Sequence, residues 1–209
     1  IGWCDWSSDV CSSDLIGSAA EVESLARRVD SSDGVVFVPA LTGLGAPHWD
    51  PAARGVIAGI TRRTSAAHLA RATLEGIAHQ IDDLLAAIAG DLGSPVQTLR
   101  VDGGAAANDL LMTLQSNLSG VQIERPRDLE STARGAAMLA GIGVGLFANP
   151  ADAARMLEVE RAFRPDCTEV ERRARRARWR DAVARTRSDH EPGPEGGPSS
   201  GGGGPGALA

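Results

Sequence analysis

The most regular pattern of apolar residues lies between positions 65 and 89. Five large apolar side chains recur there three and four positions apart: Leu74, Ile77, Ile81, Leu84 and Ile88. This spacing predicts an α-helix with one continuous apolar stripe. Thr64 or Ser65 can cap its first turn, and Gly90 and Gly93 are expected to end it.

Shorter segments on both sides alternate between strand and helix patterns. Strands are predicted at residues 35–38, 55–60, 98–102 and 121–124. Further helices are predicted at residues 19–29, 108–118, 132–145, 151–157 and 168–187. The alternation favours an α/β fold in which the strands pair at least partly in parallel.

The two ends of the chain differ from its middle. The run 1–15 contains Cys4 and Cys11 and resembles a common sequencing-library primer translated in one frame, so we expect an assembly artefact. Residues 188–209 are rich in Gly, Pro and Ser and are expected to form a disordered tail. The domain itself is therefore predicted to cover residues 16–187. Its one cysteine, Cys167, is interpreted as an incidental small residue and not as a nucleophile.

Composition excludes several classes of function. All 21 basic residues are Arg and the net charge is −6, so the Arg-rich run 172–180 predicts a solvated helix face, with a nucleic-acid surface as the minor alternative. Residues 135–148 are too few to span a membrane. No secretory signal is readable at the N-terminus. We therefore expect a cytoplasmic protein with no nucleic-acid or membrane partner.

The local feature richest in chemistry is the sequence Val-Asp-Gly-Gly-Ala-Ala-Ala-Asn at residues 101–108. A strand stops, Gly103 and Gly104 turn the chain, and a helix begins. Glycine allows a ligand to approach the backbone, and a helix start favours an anion such as phosphate. Asn108 is placed to reach a base or ribose. The alternative is a plain turn with Asn108 as helix cap, and the spacing alone leaves both open.

A second shaped loop, rich in Pro and Gly, spans residues 39–55. Taken alone, His48 and Asp50 could indicate acid–base chemistry, and Arg54 a phosphate contact. The favoured interpretation is structural: Asp50 and Arg54 pair with each other or with N–H groups of the loop.

Four segments in the same order resemble the C-terminal region of the FGGY carbohydrate kinases. They are residues 39–55, 59–75, 101–108 and 135–137, and the resemblance extends over residues 16–187. Within the family, the Thr-Gly-Leu-Gly-Ala-Pro-His-Trp-Asp-Pro sequence of residues 42–51 and the segment 160–165 are most similar to the glycerol kinase branch. Pentulose kinases usually carry a different sequence before the shared Trp-Asp-Pro.

The resemblance implies an incomplete actin-like, ribonuclease-H-like ATPase domain, with the active site between two such domains. It implies ATP as phosphoryl donor, glycerol as acceptor, Mg²⁺ held mainly through the nucleotide phosphates and the missing half, and a homo-oligomeric full-length protein. Carried over by position, Gly103 shapes the turn, Gly104 lies against the nucleotide and Asn108 contacts it.

The resemblance also marks what this chain lacks. In the family the catalytic aspartate, the polyol-contacting residues and the first phosphate-binding loop precede the region present here. Asp102 does not match the catalytic base, so no catalytic residue and no metal ligand is assigned, and the fragment alone is predicted to be inactive. The alternatives are another FGGY kinase acting on a pentulose or pentitol, or a noncatalytic actin-like domain that binds a nucleotide or a partner.

Overall fold

The computed structural model describes residues 16–188, so the predictions for residues 1–15 and 189–209 lie outside the described residues. The helices are α1 (Glu21–Ala26), α2 (Ala66–Leu92), α3 (Asp109–Ser119), α4 (Ser131–Gly143), α5 (Pro150–Ala154) and α6 (Glu169–Thr186). The strands are β1 (Val36–Val38), β2 (Val56–Ala58), β3 (Thr98–Arg100), β4 (Gln122–Pro126) and β5 (Val159–Phe163). A 3₁₀ turn, Gly104–Ala107, connects β3 to α3.

The strands form two small sheets. β1 and β2 pair antiparallel, with Phe37 opposite Ile57. In the second sheet β3 pairs parallel with β4, and β4 pairs antiparallel with β5. The predicted α/β fold with partly parallel pairing is therefore confirmed.

Helix α2 covers the predicted segment but ends later than expected. Its apolar stripe is only partly buried, because Leu74 is buried whereas Leu84 and Ile88 are 39% and 37% exposed. Ser65 is its N-cap, and the Ser65 N–H donates to Nδ1 of His68 at 3.1 Å. The prediction that Gly90 helps to end the helix is wrong, because the helix continues through Gly90 to Leu92. Gly93 alone adopts the left-handed conformation, with φ 65°, that closes a helix.

The main core lies where α3 packs against α2 and the β3–β5 sheet. Its buried apolar side chains on α3 are Leu110, Leu111, Met112, Leu114 and Leu118. Leu74 and Ala78 of α2 and Ile123 of β4 complete the same cluster. Because this contact covers nearly the whole of α3, the position of its first residue is fixed by packing.

Strand β5 is the element that the sequence pattern missed. Of its five residues only Phe163 is buried, so the segment lacks the apolar alternation of a half-buried strand. A buried hydroxyl holds it in place, since Oγ of Ser116 is hydrogen-bonded to the carbonyl oxygens of Val121 at 2.9 Å and Phe163 at 3.1 Å.

A second core cluster joins β1 and the loop that follows it to α6. Trp179 of α6 is buried against Val38, Leu44 and Ala53. Its indole N–H donates to Oδ2 of Asp83 on α2 at 2.7 Å. These contacts fix α6 across the end of the β1–β2 pair.

Helix α4 is unusual because none of its apolar side chains is fully buried. It packs mainly against α5, and among its residues only Gly141 is buried. Leu139 is 68% exposed, and Val144 and Leu146, which follow closely, are also exposed. Residues 16–188 therefore leave an apolar surface uncovered here. Within these residues, no helix is both long and apolar enough to cross a membrane.

His79 is a buried titratable group in the core between α2 and α6. Its ring stacks on Trp179 with centroids 5.0 Å apart, and within residues 16–188 its Nδ1 has no hydrogen-bond partner. Burial, together with the charges of the nearby arginines of α6, lowers the pKa of His79 to about 3. The folded state therefore holds the neutral ring.

We expect His79→Gln to flatten the acid side of the stability profile. Between pH 6.5 and about 3 the unfolded state binds a proton at His79 and the folded state does not, so this group makes stability fall as the pH falls. Urea unfolding at a series of pH values from 7 to 4 measures the free energy of unfolding. Its slope against pH should be smaller in the variant than in the unaltered chain by up to about 1.4 kcal/mol per pH unit. Parallel curves for the two proteins would contradict the assignment.

Candidate functional site

The three residues predicted from the sequence lie together in the turn between β3 and α3. Gly103 stands before the 3₁₀ turn, Gly104 begins it, and Asn108 is the N-cap of α3. The Gly103 N–H donates to the carbonyl oxygen of Leu129 at 2.9 Å, which ties the turn to the loop after β4. We call residues 103–108 the Gly-Gly turn.

The two glycines meet different requirements. Gly103 has φ 78° and ψ 174°, a backbone conformation that is almost restricted to glycine. Gly104 has no positive φ, and a Cβ built on it would have no atom of the described chain within 4 Å. The fold of residues 16–188 therefore demands glycine at position 103 but not at position 104.

Free donors lie on the same turn. Within residues 16–188, the N–H groups of Gly104 and Ala105 make no backbone hydrogen bond. Gly104 and Ala105 are exposed. An open backbone with unpaired N–H groups is suited to bind an anionic ligand.

Asn108 caps its helix, as the plainer of the two interpretations predicts. Its Oδ1 accepts a hydrogen bond from the Leu111 N–H at 2.8 Å. Among the described residues, Nδ2 of this half-buried side chain has no hydrogen-bond partner. One end of the amide is therefore used by the helix, and the other remains free to donate, so capping and ligand contact are compatible.

Arg125 of β4 is a residue of this site that the sequence did not reveal. It is only 7% exposed. Its Nη1 donates to the carbonyl oxygens of Ala106 at 3.0 Å and Ala107 at 3.3 Å, and to Oδ1 of Asp109 at 2.7 Å. Its Nε donates to Oε2 of Glu160 at 2.9 Å. One guanidinium thus joins the Gly-Gly turn, the start of α3 and β5.

The charges around Arg125 are balanced. Arg161 is hydrogen-bonded to the other oxygen of Asp109, and both guanidinium groups lie over the ring of Phe163. Desolvation alone would raise the pKa of Asp109, but the hydrogen bond and charge of Arg125, followed by the charge of Arg161, hold that pKa below its usual value. Asp109 is therefore ionised and paired at neutral pH.

The clue in the sequence to the role of Arg125 was its position in β4. Residues on β4 alternate between half-buried and buried, and Arg125 occupies the inward register of Ile123. A charged side chain at an inward position of a strand needs partners to offset its desolvation. The sequence alone does not show those partners, because Ala106 and Glu160 are distant from Arg125 along the chain.

The loop of residues 39–55 has the structural role that was favoured. Oδ1 of Asp50 accepts from the N–H groups of Ala52 and Ala53, each at 3.0 Å, and Nη1 of Arg54 donates to loop carbonyls. Both carboxylate oxygens of Asp50 also bind Ser188, at 2.7 Å. The pairing of Asp50 with loop N–H groups is confirmed, while a pair between Asp50 and Arg54 is not formed.

His48 completes the attachment of this loop. Its Nε2 lies 3.8 Å from Oδ2 of Asp83, which accepts the indole N–H of Trp179. Burial raises the pKa of Asp83. The loop packs in the second core cluster and the Gly-Gly turn in the first, so the structure does not bring His48 or Asp50 together with Gly103 and Asn108.

A cavity of about 90 Å³ lies elsewhere, between residues 30–36, α2 and α6. Glu75, His79 and Arg178 are among its lining residues, and none belongs to the Gly-Gly turn. Within residues 16–188 no three or more His, Cys, Asp or Glu side chains cluster to hold a metal ion. Burial raises the pKa of the Cys167 thiol, which does not favour a nucleophile.

Comparison with known proteins identifies relatives along most of the chain. Residues 7–144 match the FGGY family of carbohydrate kinases, C-terminal domain. The glycerol kinase of Rhodopirellula baltica is 51% identical over 173 residues, which are 83% of this chain and 32% of that protein. The glycerol kinase of Aromatoleum aromaticum is 56% identical over 173 residues, with 83% and 35% covered. The chain thus spans about a third of these relatives' length.

Solved structures agree with the sequence relatives. The crystal structure of Plasmodium falciparum glycerol kinase with ADP superposes with a TM-score of 0.76 at 33% identity, covering 82% of this chain and 34% of that one. The predicted fold, an incomplete actin-like kinase domain, is therefore confirmed. Since the family match covers well over half of the residues, the chain belongs to the FGGY family of carbohydrate kinases.

Proposed function

We propose that this chain is the nucleotide-holding C-terminal part of a glycerol kinase, an enzyme that transfers the γ-phosphoryl group of ATP to a hydroxyl of glycerol. The observation that carries the proposal is the open backbone at Gly104. The fold leaves room for a side chain at this position, so it does not require glycine, whereas a ligand that lies against the backbone would require it. Identity of about half to curated glycerol kinases supports the acceptor. ADP in the Plasmodium falciparum structure supports the nucleotide.

Four residues of the Gly-Gly turn have separate roles in nucleotide binding. Gly103 sets the direction of the turn, Gly104 and Ala105 offer N–H groups to the phosphates, and Nδ2 of Asn108 donates to the base or ribose. Phosphoryl transfer depends mainly on positioning and on neutralising charge around the γ-phosphate. This turn supplies positioning, and no residue in it serves as a base.

Mg²⁺ would be held by the nucleotide phosphates and by the remainder of the full-length enzyme, because the turn offers N–H donors and not carboxylate ligands. A homo-oligomeric parent and a cytoplasmic location stay predictions. A kinase for a pentulose or pentitol remains the second candidate, since the polyol-contacting residues of the family lie outside this chain.

The 209-residue chain alone should show no ATP-dependent phosphorylation of glycerol. A chimera in which residues 16–188 replace the matching third of the Aromatoleum aromaticum protein should phosphorylate glycerol. A coupled assay of ADP release with glycerol as acceptor measures both. Turnover by the isolated chain, or a chimera that is folded but does not phosphorylate glycerol, would contradict the proposal.

The two glycines should separate stability from binding. Gly104→Ala should change the free energy of unfolding of the chain by less than about 0.5 kcal/mol, since its Cβ meets no atom, but should weaken ADP binding by the chimera. Gly103→Ala should lower the free energy of unfolding by about 1–3 kcal/mol because of its φ of 78°. Urea unfolding and calorimetric titration with ADP measure the two effects. Unchanged ADP affinity in Gly104→Ala would remove the main support for the site.

Asn108 allows capping and nucleotide contact to be measured apart. Asn108→Ser keeps an oxygen that can cap α3 but removes Nδ2, whereas Asn108→Ala removes both. We expect both variants of the chimera to weaken ADP binding, and only Asn108→Ala to lose about 1 kcal/mol of stability. If Asn108→Ser binds ADP as the unaltered chimera does, Asn108 is a helix cap only.

A further inference from the structure

Arg125 contacts the Gly-Gly turn on the side where the turn meets the protein core. Two of its hydrogen bonds go to the carbonyl oxygens of Ala106 and Ala107. Ala106 is buried, whereas Ala105 and Gly104 are exposed. The turn is therefore held from within by Arg125, while its other side is open.

Fixing these two carbonyl groups fixes the donors beside them. A peptide unit is planar, so the carbonyl of Ala106 and the N–H of Ala107 move together, as do the carbonyl of Ala107 and the N–H of Asn108. Arg125 therefore sets the peptide plane that leads directly into Asn108. Because Nη1 also binds Oδ1 of Asp109, the residues on both sides of Asn108 are held by the same nitrogen.

The partners of Arg125 make this hold rigid. The planar guanidinium presents its N–H groups in a fixed fork, and here that fork spans Asp109 on one side and Glu160 on the other. Hydrogen bonds from a charged donor are stronger than neutral ones. The buried side chain thus has little freedom to move relative to β4.

We propose that Arg125 is a positioning residue for nucleotide binding, which holds the Gly-Gly turn and Asn108 in the orientation that the ligand requires. The proposal rests on the proposed function of this turn. A lysine at the same position keeps the charge, but its donors lie on a single nitrogen and cannot reproduce the fork in which Nε meets Glu160 and Nη1 meets the two carbonyls. Arg125→Lys should therefore loosen the turn without changing the charge of the site.

Arg176 provides a matched control. Its Nε and Nη2 donate to the carboxylate of Asp82, each at 2.7 Å, and Nη2 also donates to the carbonyl oxygen of Leu118 at 3.2 Å. It is thus a second arginine with a bidentate carboxylate partner and a backbone acceptor, placed between α2 and α6 and without contact to the Gly-Gly turn. Arg176→Lys reports what loss of such an arginine costs in stability alone.

The first measurement is hydrogen–deuterium exchange in the 209-residue chain without nucleotide. Arg125→Lys should speed exchange of the hydrogen-bonded amides of this turn, those of Gly103, Ala106 and Asn108, by about tenfold relative to the unaltered chain. Arg176→Lys should leave the exchange of these amides unchanged. The second is calorimetric titration of ADP into the chimera described above. There Arg125→Lys should raise the Kd for ADP by about tenfold without a comparable change in the KM for glycerol.

Unchanged exchange of the Gly103, Ala106 and Asn108 amides in Arg125→Lys would overturn the proposal, as would an equal loss of ADP affinity in Arg176→Lys. If Arg125→Lys does not fold, Glu160→Gln provides the test. It weakens the hydrogen bond between Arg125 and an exposed partner, so it should change the amide exchange and the ADP affinity in the same direction by a smaller amount. A chimera that binds no ADP at all would refute the proposed function, and the exchange experiment would still decide whether Arg125 holds the turn.

Discussion

The packing of α3 against α2 and the β3–β5 sheet is the contact on which the rest of this structure depends. Every large apolar side chain of α3 is buried in it, among them Leu111, Leu114 and Leu118. The helix therefore has one orientation, and its N-terminus must stand at the end of β3. The Gly-Gly turn occupies the short connection between these two fixed points.

The residues that form and support this connection have chemically different roles. Gly103 provides a backbone conformation, Asn108 closes the first turn of α3, and Arg125 binds the carbonyls from the core side. Gly104 does none of these things, and its surroundings are open. In the proposed function, this position, which the fold does not need as glycine and which lies beside free N–H groups, is where the ligand lies against the backbone.

The sequence predicted what depends on local pattern. Helix α2, the Gly-Gly turn and the helix after Asn108 were all visible, since each rests on periodicity or on residues a few positions apart. The apolar stripe did not fully predict the buried face of α2, because Leu84 and Ile88 are exposed while Leu85 is buried. Strand β5 was not, because its residues are exposed and its place is set by pairing with β4 and by the hydroxyl of Ser116. Gly90 was assigned the wrong role because glycine is a typical residue at the end of a helix. Whether the helix ends there depends on the backbone conformation, which the residue type alone does not determine.

Arg125 shows the same limit at the site itself. In the sequence it is one of many arginines, and only the fold brings Ala106, Asp109 and Glu160 around it. A crystal structure of the chimera with ADP would test most directly whether the Gly-Gly turn holds the nucleotide. We expect the nucleotide against Gly104, with Nδ2 of Asn108 within hydrogen-bond distance. ADP bound elsewhere, with the Gly-Gly turn unoccupied, would contradict it.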